Sequence, residues 1–461
     1  MEPKEREGEL EIGPFRVQPS LNRLSQGEAA VRIEPKLMDV LLVLARRAPQ
    51  VVSQDELAAA VWPDVFVSES VLTRAIAGLR KALGDDARSP RFIETIAKRG
   101  YRLLLTPSFA AAPAPPPTAV STPRPSTSAA VGYAVGQWVR GERFYGRENE
   151  IAEILHGPRN GLWVLGGRAI GKTSLLKQLE LLTAADPASG YFPLFWDLQG
   201  TAEPEDLDAD FHAALAEAEP LLERLGIDLA SLEGADVFTS LNRLRRGLRS
   251  RGRTLLLLWD EVEELIRLHA RAPGLLAKLR RALQSQEGVR TVLASGPRLW
   301  QLAEQRDDTS PFLHGFAPPL YLGPLAAEAA RALVGQEQAP AGSPRVPAEA
   351  VGAVLTAAGN HPWLLQMLAA RTAELGDAAR ATELVAADST VRFLFAVDHD
   401  LLSAEERTLL HALARGAAPE GGAELAARLH HLTGLGFLRA EGAGWVIASP
   451  ILAGWLLAQK V

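Results

Sequence analysis

Residues 161–174, GLWVLGGRAIGKTS, constrain this chain more than any other run. An apolar, β-type stretch ends in Gly-x-x-x-x-Gly-Lys-Thr, and the helix formers Leu175, Leu176, Lys177, Gln178 and Leu179 follow. Strand, loop and helix in that order give the spacing its physical meaning as a phosphate loop. Gly166 and Gly171 let the backbone wrap an anion. The loop amides and the new helix N-terminus then point positive dipoles at it. The expected nucleotide contacts are Gly166, Gly167, Arg168, Ala169, Ile170, Gly171, Lys172, Thr173 and Ser174. Lys172 is placed to reach the β- and γ-phosphates, and the Thr173 hydroxyl to ligate Mg²⁺. The plainer alternative is a glycine-rich β–α turn with no ligand. The flanks favour a nucleoside triphosphate, ATP with Mg²⁺.

A second run supports the first. Residues 254–264, TLLLLWDEVEE, read as a buried strand ending in Asp260 and Glu261. In a doubly wound sheet ligands sit at the carboxyl ends of the strands, so these acids should emerge beside the loop. Asp260 is expected to hold Mg²⁺, directly or through water. Glu261, with Lys172, forms the catalytic pair, the glutamate polarising the attacking water. Alone, an acidic pair after an apolar strand reads equally well as a helix cap.

At 461 residues the chain exceeds a single core. It has no cysteine, which excludes disulfides, thiolate zinc sites and thiol catalysis. No apolar run is long enough to span a bilayer, and the charged start MEPKEREGEL is unlike a signal peptide. A soluble cytoplasmic protein without membrane contact is the expectation. The formal charge of −6 gives no global sign of nucleic acid, so any DNA contact has to come from a local basic surface.

Pro, Ala, Ser and Thr dominate residues 106–128, a composition that stays extended and unpacked. The expected division is 1–105, a linker at 106–139, and then 140–325, 326–393 and 394–461. In the first part, strand-like pieces at 10–17, 22–26 and 29–33 precede a helix at Pro35–Arg47. Ser53 caps a helix at 54–61, and a third helix runs from Ser68 or Ser70 to about Leu83. Its stripe is Val71 or Leu72, Ile76, Leu79 and Leu83. Thr73, Arg74, Ala75, Ala77, Gly78, Arg80 and Lys81 are expected on the outward face. Residues 91–95 and 101–105 should form a hairpin turning at Lys98, Arg99 and Gly100. From 74 to 102, Arg74, Arg80, Lys81, Arg88, Arg91, Lys98, Arg99 and Arg102 outnumber Asp85, Asp86 and Glu94. Such a stripe is what phosphate neutralisation requires.

The run VSESVLTRAIAGLRKALGDDARSPRFIETIAKRGYRLL resembles the recognition helix and wing of the OmpR/PhoB-type winged helix-turn-helix, and the resemblance covers nearly all of 10–105. It implies that the third helix enters the major groove of double-stranded DNA and that Lys98 and Arg99 reach a minor groove. The candidate DNA contacts are Thr73, Arg74, Ala77, Arg80, Lys81, Lys98 and Arg99.

The second half resembles the STAND branch of AAA-like ATPases. Phe144-Tyr145-Gly146-Arg147-Glu148 looks like the motif that opens that module, which implies Arg147 beside the nucleotide base. Ser295 or Arg298 falls where the family has its γ-phosphate sensor. Residues 359–365, GNHPWLL, resemble the lid motif whose proline, here Pro362, approaches adenine. His361 lacks a partner at ligand spacing and reads as structural. From about Phe395 the chain reads as a second winged helix of balanced to acidic charge. STAND proteins usually continue into a sensing repeat array, and this sequence stops at Val461.

The fold class expected is multidomain: an α+β winged helix, a central α/β P-loop ATPase with a parallel sheet, a helical lid and a C-terminal winged-helix domain. Two functional readings follow. One is a one-component transcriptional regulator in which slow ATP hydrolysis serves as a switch and the ATP state self-associates. The other is a signalling or defence NTPase whose winged helix binds a protein and whose output is nucleotide-driven oligomerisation.

Overall fold

In the computed structural model the chain divides into two compact units, Met1–Pro125 and Ser126–Val461. The structure describes residues 10–109 except 14, 19–22, 27–28, 33–34, 49, 62–68, 86–89, 97–99 and 106–107. It also describes 132–459 except 202, 233, 235, 285–286, 304–311, 341, 420 and 443.

The first unit opens with strands β1 (Leu10–Ile12), β2 (Phe15–Gln18), β3 (Arg23–Gln26) and β4 (Ala29–Arg32). Helices α1 (Pro35–Arg47), α2 (Gln54–Val61) and α3 (Glu69–Leu83) follow, then β5 (Ile93–Ile96), β6 (Gly100–Leu103) and β7 (Ser108–Phe109). An antiparallel sheet runs β4-β3-β2-β1-β7, and β5 pairs with β6 as the expected hairpin. Two boundaries differ from the sequence reading. Residues 10–17 make two strands turning at Gly13, and β7 pairs with β1, so the unit runs past Leu105.

Ser53 caps α2 with Glu56 three residues on, each bonding the other's amide, a capping box. Leu72, Ala75, Ile76, Leu79 and Leu83 of α3 are buried against Met38, Leu41 and Leu44 of α1 in one core. Ala75 was expected to face outward. Spaced three from Leu72 and four from Leu79, it falls on the buried stripe instead.

The second unit holds α4 (Glu148–His156), β8 (Gly161–Leu165), α5 (Lys172–Ala185), β9 (Tyr191–Asp197), α6 (Pro204–Glu217), α7 (Glu219–Arg224) and α8 (Val237–Arg249). Next come β10 (Thr254–Asp260), α9 (Glu264–Arg271), α10 (Pro273–Gln284), β11 (Val289–Ser295), α11 (Trp300–Ala303) and β12 (Leu320–Tyr321). The five strands form a parallel sheet in the order β12-β8-β11-β10-β9. Its strands are buried on both faces. Trp163, Trp196 and Trp259 point into one core, while Leu162, Val164, Leu256 and Leu258 join Leu175, Leu176 and Leu179 of α5 in the other. That is why these strands read as unbroken apolar runs rather than alternating ones.

Helices α12 (Ala327–Gly335), α13 (Val351–Ala358), α14 (Pro362–Leu375) and α15 (Ala378–Ala387) follow, then α16 (Ser389–Asp400), α17 (Ala404–Ala414) and α18 (Ala423–Gly434). A hairpin of β13 (Leu438–Glu441) and β14 (Gly444–Ile447) and a last helix α19 (Pro450–Ala458) complete the unit. The division expected at 393/394 therefore cuts through α16. The expected linker also ends early, since Tyr133 donates its hydroxyl to Val334 O (2.6 Å) and the Ala134 amide bonds Gln366 Oε1 (2.9 Å). Among the described residues no helix is long and apolar enough to cross a membrane.

Gly100 joins the β5–β6 hairpin to the rest of the first unit. Val52 and Tyr101 exchange backbone bonds of 2.8 and 2.9 Å, and Gly100, at φ +125°, lies so close that an added Cβ would fall 2.0 Å from Val52 O. Gly100→Ala should therefore destabilise the first unit by about 1–3 kcal/mol from the dihedral alone, with the clash added. Chemical denaturation followed by near-ultraviolet signal checks this, and an unchanged midpoint contradicts it.

Candidate functional site

The loop between β8 and α5 lies where the sheet's carboxyl ends open. Gly166 donates its amide to Ser295 O (3.2 Å), anchoring the loop to β11. Ala169 (φ 54°) and Gly171 (φ 101°) adopt left-handed backbone, and Ile170 anchors the loop in the core beneath. Lys172 folds back over the loop, its Nζ 3.1 Å from Gly166 O and 2.9 Å from Gly167 O. Such a lysine is held at the mouth of the loop by weak carbonyl contacts that an anion can replace.

The expected junction with the acidic strand is present. Thr173 donates its hydroxyl to Asp260 Oδ2 at 2.6 Å, and Asp260 Oδ1 accepts the Glu261 amide at 3.1 Å. Asp260 is buried, and Asp197 lies in register beside it on β9. Burial and the Asp197 charge push the Asp260 carboxyl up to about 6, against the pull of the Thr173 bond and Lys172. Glu261 takes a left-handed conformation (φ 51°) at the strand end. Its side chain reaches solvent, yet the surrounding protein and the carboxylates of Glu263 and Asp260 push it up to about 7. A carboxyl at that value exchanges protons readily near neutrality, as a general base does. The hydroxyl–carboxylate pair of Thr173 and Asp260 supplies the oxygen donors a hard divalent cation prefers. Nucleotide and Mg²⁺ thus fit the residues present.

Other expected contacts sit differently. Ser295 is fully buried; its hydroxyl accepts from Trp163 Nε1 (2.8 Å) and donates to Gly296 O (3.1 Å), so it is held inside the sheet and not turned to a phosphate. Arg298 is exposed on the turn after β11. Ser174 is buried and its hydroxyl accepts the Val139 amide (3.1 Å), which ties the incoming chain to α5. Arg147 does not lie open beside a base. Its guanidinium pairs with Glu150 (3.0 Å) and donates to the carbonyls of Gly323 and Ile170, clamping the opening motif to the loop. Pro362 opens α14, with His361 before it. Burial, and the positive Arg147 beside it, hold His361 down to about 4. It is a neutral packing histidine at the loop, as its lack of ligand partners implied.

Three acids escaped the sequence reading. Asp197 joins Asp260 across the sheet. Glu263 accepts the Gly296 amide on one oxygen and leaves the other buried and unpartnered. Asp398, near the end of α16, accepts the Arg168 loop amide at 2.8 Å. Its signal was legible: Val391, Phe395 and Asp398 form the buried stripe of α16 at spacings of four and three. An acid ending such a stripe, at the helix end that disfavours negative charge, needs a partner outside the helix.

In the first unit, Thr73, Ala77 and Lys81 are exposed on α3, and the Thr73 hydroxyl lies 3.5 Å from Tyr101 OH. Arg80 is a correction. Its Nη2 donates to Ile93 O (2.8 Å) and Thr95 Oγ1 (2.9 Å), so it rivets α3 to the hairpin instead of facing outward. Arg91 likewise bonds Gly84 O, and Arg102 pairs with Glu94 at 2.6 Å. Asp85 caps the turn by accepting the amides of Arg91, Phe92 and Ile93. Arg74 lies on α3, but its side chain, like Lys98 and Arg99 throughout, falls outside the described residues.

Residues 27–103 match the family model "Transcriptional regulatory protein, C terminal". The N-terminal unit is a winged helix of that family. The transcriptional activator CadC of Escherichia coli K12 is 39% identical over 97 residues, covering 21% of this chain and 19% of that protein. The transcriptional regulator HilA of Salmonella typhimurium is 40% identical over 95 residues, covering 21% and 17%. The chain thus spans about a fifth of the length of these relatives. The Walker-type ATPase PABY2304 of Pyrococcus abyssi superposes with a TM-score of 0.51 at 19% identity, covering 69% of this chain and 97% of that one. At that identity the likeness is one of fold: a parallel-sheet P-loop domain with a helical C-terminal region.

His361 generates a pH test. A histidine at about 4 in the folded chain and 6.5 unfolded stabilises fully above 6.5, and that contribution is lost as pH falls toward 4. Between pH 7 and 5 the parent should lose more thermal stability than His361→Gln. Equal losses in both proteins would contradict the assignment.

Proposed function

We propose that this chain is a one-component transcriptional regulator, a winged helix for double-stranded DNA tethered to a nucleotide-driven switch. The observation that carries the switch is the 2.6 Å bond between Thr173 and Asp260, which joins the phosphate loop to the acidic strand. The family match of the first unit carries the DNA reading.

In this reading Gly166–Thr173 hold the phosphates, Lys172 turns from its carbonyls to the terminal ones, and Thr173 with Asp260 holds Mg²⁺. Bound Mg²⁺ would neutralise phosphate charge. Glu261 takes the proton of the attacking water, and hydrolysis is slow because a switch needs a lasting ATP state. A linker as rich in Pro, Ala, Ser and Thr as residues 110–128 lets winged helices on neighbouring subunits reach spaced half-sites, so ATP-dependent self-association raises DNA affinity through avidity. The site of action is the cytoplasm.

A second reading has specific support. Arg80, Arg91 and Arg102 are all engaged within the first unit, which shrinks the basic stripe available to phosphates. A winged helix that binds a protein partner fits that economy. Salt-dependent DNA binding separates the two.

Calorimetry should find ATP affinity in Lys172→Ala weakened at least tenfold, whereas Glu261→Gln keeps Mg·ATP bound and nearly stops turnover. Parental values in either variant would contradict the site. On DNA, Lys81→Ala should weaken binding to all sequences and lower the salt slope by about one. An unaltered slope in a gel-shift series would remove Lys81 from the contact set.

A further inference from the structure

The loop that should receive a phosphate already receives a carboxylate. Asp398 Oδ2 accepts the Arg168 amide at 2.8 Å, and an added Cβ on Gly167 would fall 2.9 Å from the same oxygen. The carboxylate therefore lies directly on the loop backbone, against the space a Cβ at 167 would take. The Arg168 guanidinium stands 3.9 Å from Oδ1, which is buried and otherwise without a hydrogen-bond partner. Asp398 is 8% exposed.

Nothing in its own helix favours this acid. It sits in the last turn of α16, where the helix dipole opposes negative charge, and burial raises the cost of ionising it. What compensates is the loop: one amide, one guanidinium, and the nearby Lys172 charge. Those are the groups that an entering phosphate would use. Two anions cannot share one amide, and their mutual repulsion in a poorly solvated site is strong.

We infer that Asp398 is a built-in competitor at the phosphate loop, so that a nucleotide binds only by displacing it and with it the end of α16. This rests on the nucleotide reading above and adds its regulation. Displacement reaches the C-terminal helices, because Phe395 and His399 of α16 pack tilted and edge-on against Trp455 of α19, with ring centroids 5.9 and 5.4 Å apart. His361, Asp398, Leu435 and Ser449 also border a cavity of about 30 Å³.

The test is ADP binding to the full chain by calorimetry, in the parent, Asp398→Asn and Asp398→Ala. Asparagine keeps shape and an acceptor but removes the charge. Both variants should bind ADP at least tenfold more tightly than the parent. Equal or weaker binding would overturn the inference while leaving the nucleotide site standing. Hydrogen exchange on the parent gives a readout that needs no variant. Amides of 389–400 should lose protection at saturating ADP, and unchanged protection overturns the displacement. ADP binding by Asp398→Asn but not by the parent would support the competitor in its strongest form. Binding by neither would overturn the nucleotide reading and the competitor together.

Discussion

The loop at residues 166–173 leaves the end of a buried strand, and its backbone donors have to be met by acceptors. Much of the second unit is arranged around that requirement. Strand β8 presents the loop, β11 takes its first amide through Ser295 O, and β10 delivers Asp260 to Thr173. Arg147 clamps the opening motif to the loop from one side, and α16 brings a carboxylate from the other. The C-terminal helices are thus coupled to the core through the backbone of the 166–173 loop itself.

Charge gives that coupling a direction. Asp197, Asp260, Glu261 and Glu263 crowd one side of the loop, and burial with mutual repulsion raises Asp260 to about 6 and Glu261 to about 7. Carboxyls held so high are poised to be reset by a metal, a lysine or a water, each of which restores the ionised form. Lys172 turned onto its own loop carbonyls and Asp398 seated on the Arg168 amide describe a loop satisfied from within. In the proposed reading an incoming polyanion exchanges these internal partners for its own.

Much of this could be read from the residues alone, and the failures have physical causes. The phosphate loop and the acidic strand were legible because strand, glycine spacing and helix are local in sequence. The α3 stripe was legible from its period, yet Ala75 was misplaced because a small side chain carries little amphipathic signal. Arg80 and Ser295 read as functional because isolated polar residues look available. Their partners, Ile93 O and Trp163, are brought to them only by tertiary packing. Asp398 is 230 residues from the amide it bonds, a distance at which no local pattern names a partner. Its place in an apolar stripe at a helix end was the one clue.

In the proposed function a nucleotide-binding unit governs a DNA-reading unit within one chain. The most direct measurement is fluorescence anisotropy of the full chain on its own upstream DNA at fixed moderate salt, in ADP and in a slowly hydrolysed ATP analogue. Tighter, more cooperative binding is expected with the analogue. Identical affinity and identical cooperativity in both nucleotides would contradict it.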